Sequence, residues 1–425
     1  MHRSPVMPTL LATVFALAGC GGGPTAGMPD AGGGTAELLA PPDPGKGIQL
    51  QMKSPIAAGF ETERCQFFKA PDTGINIHTT KVRYQAGSHH VLLYLTPYQA
   101  PPTKTESGRA IDPSGVVDCP LGASADFQIS GLLAVAQAPD APPIADYPDG
   151  VAFKVPPGAV LLLNTHYVNA TQNEVQTDVR VNLYSIPDAE VKTEGGIIFF
   201  YNPFIRVPGN AQSSSRMACP VTHDITVLNL QNHMHRRGAF FQAFLADAQG
   251  AQVEKLYESS QWENVPVATW KDGKKIAKGM KLDYHCDYKN TESRNIDQGA
   301  KSTDEMCMLI GAYYPRDQAF SNCADPRTGQ ISSAANWITS GTKTCGETLT
   351  CAQSVKNQDD YFACVLGTCA ASSAPLSAIL QCQRRVTADN GECKADCQQG
   401  GMACQNCVVA KCSAELGACF QAACN

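Results

Sequence analysis

Nineteen cysteines in 425 residues, very unevenly placed, restrict what this chain can fold into more than any other feature. Twelve of them (Cys345, Cys351, Cys364, Cys369, Cys382, Cys393, Cys397, Cys404, Cys407, Cys412, Cys419 and Cys424) crowd the C-terminal stretch, in Ala/Gln/Leu-rich sequence and at helical spacings. So short a stretch lacks the area for a core of its own, which predicts a small disulfide-rich α-helical module over residues 342–425. Cys404-x-x-Cys407 suggests half of a zinc site instead, but no histidine follows in the module.

The N-terminus says where the cysteines go. Arg3, the apolar stretch Leu10 to Leu17 and the box Leu17-Ala18-Gly19-Cys20 read as an export signal over residues 1–19. The box resembles the bacterial lipoprotein lipobox, in which Cys20 becomes the lipidated first residue. The apolar stretch is too short to span a bilayer. Residues 20–46, rich in Gly and Pro, form a flexible tether. The expected location is the cell envelope, lipid-anchored in a membrane. The outer membrane is favoured over the inner, because Gly21 carries no acidic retention signal. In an oxidising compartment the eighteen cysteines left after Cys20 are expected to form disulfides. Charged residues are 17% of the chain and the net charge of −6 comes without long like-charged runs, which argues against nucleic acid as a partner.

Between tether and tail the pattern is of short β runs broken by Pro, Gly and Asn, with Val179, Val181 and Leu183 alternating with polar residues. We expect a mainly β chain: two consecutive jelly-roll-like β-sandwich domains over 47–190 and 191–335, divided near Pro187 to Gly196, then the helical module.

Five of the nine histidines fall in three places, His89-His90, His166 and His233-x-His235. Residues i and i+2 of a strand share a face, so His233 and His235 can grip one ion. Adjacent residues diverge, so a shared ion at His89 and His90 needs a local bulge and a third ligand. Each pair has a potential partner some seventy residues downstream: His166 for the first, and the run Asp304-Glu305-Met306-Cys307-Met308 for the second. Thioether sulfur favours Cu(I), so a His2Met site would be a copper site.

The runs Gly87-Ser88-His89-His90-Val91-Leu92-Leu93-Tyr94, Leu163-Asn164-Thr165-His166-Tyr167, His233-Met234-His235, and Asp304-Glu305-Met306-Cys307 with Tyr313-Tyr314-Pro315 resemble the copper type II, ascorbate-dependent monooxygenases. The family includes peptidylglycine alpha-hydroxylating monooxygenase and dopamine beta-monooxygenase. The resemblance covers about residues 48 to 330 and implies two copper ions. His89, His90 and His166 would hold the electron-storing copper, and His233, His235 and Met306 the O2-binding, catalytic one. Periodicity alone does not separate Met306 from Met308; the match to the family run does. The resemblance further implies the disulfides Cys286–Cys307, Cys219–Cys323 and Cys65–Cys119. It implies partners O2, a small organic substrate and a reductant such as ascorbate, and a solvent-filled gap between the domains where substrate enters.

The chain departs from the peptide-hydroxylating enzyme where that enzyme clamps its substrate carboxylate with an arginine and a tyrosine: here Gln231 and Ile310 stand. This argues against a peptidyl-glycine substrate, although Arg236 and Arg237 are near enough in sequence to receive an anion. His78, His223 and His285 have no assigned role and are expected to be exposed or hydrogen-bonded strand residues. The function expected is copper-dependent hydroxylation of a C–H bond. The alternatives are a non-catalytic copper-binding envelope lipoprotein and an envelope-interaction protein acting through its Cys-rich tail.

Overall fold

The computed structural model describes residues 38–425 except 86, 121, 203, 324–335, 340, 356–357, 388–390, 399–400 and 425. The signal sequence, Cys20 and most of the tether therefore lie outside the described residues. Among those described, no helix is long and apolar enough to cross a membrane.

The chain is mainly β. Its first half supplies β1 (Gly47–Ile56), β2 (Glu61–Lys69), β3 (Ile75–Tyr84), β4 (Ser88–Leu95), β5 (Val116–Asp118), β6 (Gly131–Ala136), β7 (Val151–Val155), β8 (Val160–Val168), β9 (Val175–Ser185) and β10 (Thr193–Glu194), with a short helix α1 (Ala123–Asp126). They form two five-stranded sheets, β1-β9-β3-β7-β10 (sheet 1) and β5-β2-β8-β4-β6 (sheet 2). The second half supplies β11 (Gly196–Tyr201), β12 (Arg206–Val207), β13 (Gln212–Pro220), β14 (Ile225–His233), β15 (Gly238–Ala246), β16 (Gln252–Ser259), β17 (Ala268–Ile276), β18 (Lys281–Lys289), β19 (Ile296–Asp297), β20 (Met308–Tyr314) and β21 (Asn336–Ile338), with α2 (Gln318–Ser321). Here the sheets are β11-β20-β14-β17 (sheet 3) and β16-β15-β18-β13-β21 (sheet 4), beside the pair β12-β19.

Sequence pattern explains which sheets are outside and which inside. In β9, Val179, Val181 and Leu183 are fully buried while Asp178 and Arg180 stay partly exposed, so sheet 1 has one wet face. Sheets 2 and 3 differ: β4 from His90 onward, β8 up to Tyr167 and β14 from Val227 onward are buried throughout. Continuous apolar runs such as Val91 to Leu95 and Val160 to Leu163 give a sheet two dry faces. On β20, Met308, Ile310 and Ala312 join the first half's core, while the intervening Leu309 and Tyr313 join that of the second. On β11, Ile197 and Phe199 likewise alternate with Ile198 and Phe200. The gap expected between the halves is therefore not what the structure has. Apolar faces of sheets 2 and 3 meet there, with Tyr94 against Phe199 at 6.1 Å between ring centroids.

Polar side chains pin that seam. Asn229 Nδ2 donates to Ile144 O (2.8 Å), and Gln137 Nε2 donates to Asn232 O (2.7 Å), each joining the two halves. Gly311 admits β14 closely: a Cβ there would sit 2.1 Å from Asn229 O. This crossing coincides with a register shift in the β14–β20 ladder between Val227 and Gln231.

The tail is helical and disulfide-rich: α3 (Cys345–Ser354), α4 (Gln358–Leu366), α5 (Ala370–Thr387), α6 (Lys394–Gln398), α7 (Gly401–Lys411) and α8 (Ser413–Gln421). Thr344 and Glu347 close a capping box on α3. The bonds are Cys345–Cys419, Cys351–Cys364, Cys369–Cys424, Cys382–Cys412, Cys393–Cys407 and Cys397–Cys404. Cys404 and Cys407 are thus both consumed, which leaves no zinc site there. In the β region Cys65–Cys119, Cys219–Cys323 and Cys286–Cys307 are bonded. The tail does not rely on disulfides alone, since Val365, Leu376, Ile379 and Val386 lie in one continuous apolar cluster with sheets 3 and 4.

Loop closure sets how much each tail disulfide contributes. Replacing Cys345 and Cys419 (sequence separation 74) by alanine is expected to cost about 4 kcal/mol, and replacing Cys397 and Cys404 (separation 7) about 2.5 kcal/mol. Denaturant unfolding followed by tail-specific hydrogen exchange checks the order; equal losses would contradict it.

Candidate metal centre

β4 and β8 are hydrogen-bonded neighbours in sheet 2, with His90 directly opposite His166. The ladder shifts register between Ser88 and His90, so His89 occupies a bulge and can turn toward its neighbour. One ring nitrogen from each of His89, His90 and His166 lies within 4.8 Å of the others. His89 Nδ1 and His90 Nδ1 are 3.2 Å apart. His166 Nε2 is engaged by Glu61 Oε1 at 2.9 Å, while its Nδ1 is buried without a hydrogen-bond partner.

The second group sits at the end of β14. His233 closes the strand, and His235 lies in the turn after it, so the pair does not share one regular strand face as the sequence pattern predicts. Their rings still meet, with centroids 5.2 Å apart. Each has Nδ1 occupied: Gln137 Oε1 is 2.6 Å from His233 Nδ1, and Asp304 O is 3.2 Å from His235 Nδ1. His235 Nε2 is buried and unpaired. The Met306 segment is anchored beside this turn. Glu305 accepts from the backbone N–H groups of His235 (3.1 Å) and Arg237 (2.8 Å), Tyr288 Oη donates to Met306 O (3.0 Å), and Cys307 is bonded to Cys286.

The two groups touch. His90 and His233 stack edge to face at 5.0 Å, making His89, His166, His90, His233 and His235 one continuous cluster across the seam. His90, His233, Met306 and Met308 all line one narrow chamber between sheets 2 and 3, together with Leu92, Val135, Phe199 and Ile310.

Electrostatics suit the cluster to metal. Burial lowers the pKa of His89 to about 4 and that of His233 to about 3, and holds His90 and His235 well below the ordinary imidazole range, with neighbouring imidazoles adding to the effect. These rings are therefore neutral at pH 7, with lone pairs free for a cation. The hydrogen bond from His166 holds Glu61 at about 2. Burial raises Glu305 to about 7. Neutral imidazoles, three orphaned buried ring nitrogens (His89 Nε2, His166 Nδ1, His235 Nε2) and an adjacent thioether are a donor set that fits copper.

Motif reading missed the residues that orient these rings. Glu61 binds His166 and also accepts from Ser302 N (2.8 Å) of the other half. Trp262 stacks on His89 at 5.2 Å. Gln137 holds His233. None sits in a recognisable motif, and each becomes visible only when the halves are brought together. Arg236 and Arg237 do not offer a free anion site, since both pair with Glu292, and Arg237 also donates to Thr303 O. His78 (to Val151 O, 2.9 Å), His223 (to Pro315 O, 3.0 Å) and His285 (stacked on Phe244) are engaged away from the cluster.

Comparison with known proteins gives one family-model match over part of the chain and two weak global likenesses. A structure of peptide-N(4)-(N-acetyl-β-D-glucosaminyl) asparagine amidase is 10% identical, covers 63% of this chain and 97% of its own, and has a TM-score of 0.25. The major capsid protein P2 of bacteriophage PM2 is also 10% identical, covers 64% and 99%, and has a TM-score of 0.23. Neither informs function. The family model described as copper type II ascorbate-dependent monooxygenase, C-terminal domain, matches residues 196–335, the segment that carries His233, His235 and Met306. Over that segment, about a third of its length, the chain is similar to the C-terminal domain of the copper type II ascorbate-dependent monooxygenases.

Proposed function

We propose that this chain hydroxylates a C–H bond of a small organic substrate with O2 and an external one-electron reductant such as ascorbate. It would bind two copper ions, one held by His89, His90 and His166 and the other by His233, His235 and Met306. The observation that carries the reading is the meeting of His90 and His233 on a chamber that Met306 also lines.

Copper, when bound, supplies one-electron redox chemistry and the activation of O2 that a strong C–H bond demands. The protein's own contribution is placement. Burial keeps His89, His90, His233 and His235 unprotonated, while Glu61, Gln137 and the Asp304 carbonyl each occupy one ring nitrogen of His166, His233 and His235 and leave the other for metal. The apolar side chains of sheets 2 and 3 that line much of the chamber lower its polarity, which would limit side reactions of reactive species. Gln231 and Ile310 leave no cationic clamp, and Arg236 and Arg237 are neutralised by Glu292, so an anionic substrate is disfavoured.

On the same reading, residues 47–190 and 191–335 are two β-sandwich domains, supported by sheets 1 and 2 drawing on the first range except for the short β10 (Thr193–Glu194) and sheets 3 and 4 on the second except for the short β21 (Asn336–Ile338). Export and lipidation at Cys20 are supported by the lipobox and by the bonding of all eighteen other cysteines, which suits an oxidising envelope rather than the cytosol.

Two outcomes check this. Glu61→Ala and Gln137→Ala should each weaken copper binding about 10- to 100-fold, at the first and second group respectively, by competition with a chelator. With copper, ascorbate and 18O2, one labelled oxygen should enter an accepted substrate, and Met306→Ile should abolish the labelled product while the fold survives. Copper uptake without labelled product from any C–H substrate would favour a copper-binding protein.

A further inference from the structure

The chamber between sheets 2 and 3 contains a group that metal binding does not use. Glu63 on β2 is 6% exposed and points into it. Its carboxyl accepts from Asn164 Nδ2 (2.8 Å) and from the Ala123 backbone. A carboxyl group has more hydrogen-bonding capacity than these two contacts fill, and burying one in an apolar wall is costly unless something receives it. The opposing walls are Leu92, Ile129, Val135, Phe199 and Ile310, and no Lys or Arg is among the lining residues described.

Resting on the monooxygenase reading, we propose that this chamber binds the substrate and that the substrate is an uncharged, mostly apolar molecule carrying one hydroxyl or amide N–H group, which hydrogen-bonds to Glu63. The apolar walls hold the hydrocarbon body beside His90, His233 and Met306, which line the same space. Glu63 fixes its orientation, as few polar groups do in a mostly apolar pocket. An anion would meet a carboxyl group and no cation. An ammonium group would lose its hydration in a dry chamber, a cost that pairing with one partly engaged carboxyl does not reliably recover.

The test uses four probes of one shape (cyclohexylmethanol, methylcyclohexane, cyclohexylmethylamine and cyclohexanecarboxylate) titrated by NMR into the purified chain, metal-free and copper-loaded. The alcohol should bind at least tenfold more tightly than the other three. Glu63→Leu should reduce the alcohol to the level of the hydrocarbon, and Glu63→Gln should retain most of the preference. Ile129→Trp, which fills the chamber without touching Glu63, should abolish binding of all four. Tightest binding of the amine or acid, equal binding of alcohol and hydrocarbon, or alcohol binding untouched by Glu63→Leu would overturn the proposal. Because binding is read without copper, a chamber that takes no alcohol in a chain that binds copper rejects only the substrate class. Alcohol binding in a chain that takes up no copper upholds the chamber and rejects the monooxygenase reading.

Discussion

Desolvation of imidazole at the seam between two β-sheets is the constraint on which the rest depends. His90, His233 and His235 are at most 5% exposed and sit beside His89 and His166, while the carboxylates that meet the cluster's rings, Glu61 at His166 and Glu263 at His89 (3.8 Å), lie at its other end. Buried protonated imidazoles would repel one another, so the rings are neutral and carry unsatisfied lone pairs. A cation held among them would remove that cost, and binding it would stabilise the folded chain by mass action. A donor set of neutral imidazoles beside a thioether would favour copper over hard, oxygen-preferring ions.

The seam must be held fixed for this to work, and the sequence does so redundantly. Gln137 accepts from His233 with its oxygen and donates to Asn232 O with its nitrogen, so one side chain of the first half sets both a ring and a strand of the second. Glu61 does the reverse, joining His166 to Ser302. Asn229 binds Ile144 O and receives Ala312 N, tying β14 to the first half and to β20 together. Arg316 pairs with Glu194 at the junction of the halves, and Tyr147 Oη donates to Gly196 O. Contacts of this kind make the two halves one compact unit over Leu38–Asn425.

Local chemistry was legible in the sequence; the relation between the halves was not. The alternation of Val179, Val181 and Leu183 marked a one-sided strand, and the need for a bulge at His89-His90 follows from strand geometry. The metal-binding candidates stood out because imidazole pairs are rare and soft sulfur nearby is rarer. The reading failed where faces meet. An uninterrupted run such as Val91 to Leu95 has two dry faces, but nothing in it names what covers the second, so an open gap was expected where sheet 3 packs. Pairing of the tail cysteines was beyond reach because helical spacing allows many connectivities. Glu63 escaped notice because a carboxylate on a strand ordinarily faces water; only the assembled chamber shows that this one does not.

The central claim is that two copper sites are built side by side from one buried cluster. Copper content measured together with electron paramagnetic resonance of the Cu(II)-loaded chain tests it most directly. The account predicts two ions per chain with spectra broadened by mutual coupling, and a single ion with narrow lines in both His166→Ala and His235→Ala. One ion in the unaltered chain, or two whose spectra show no interaction, would contradict it.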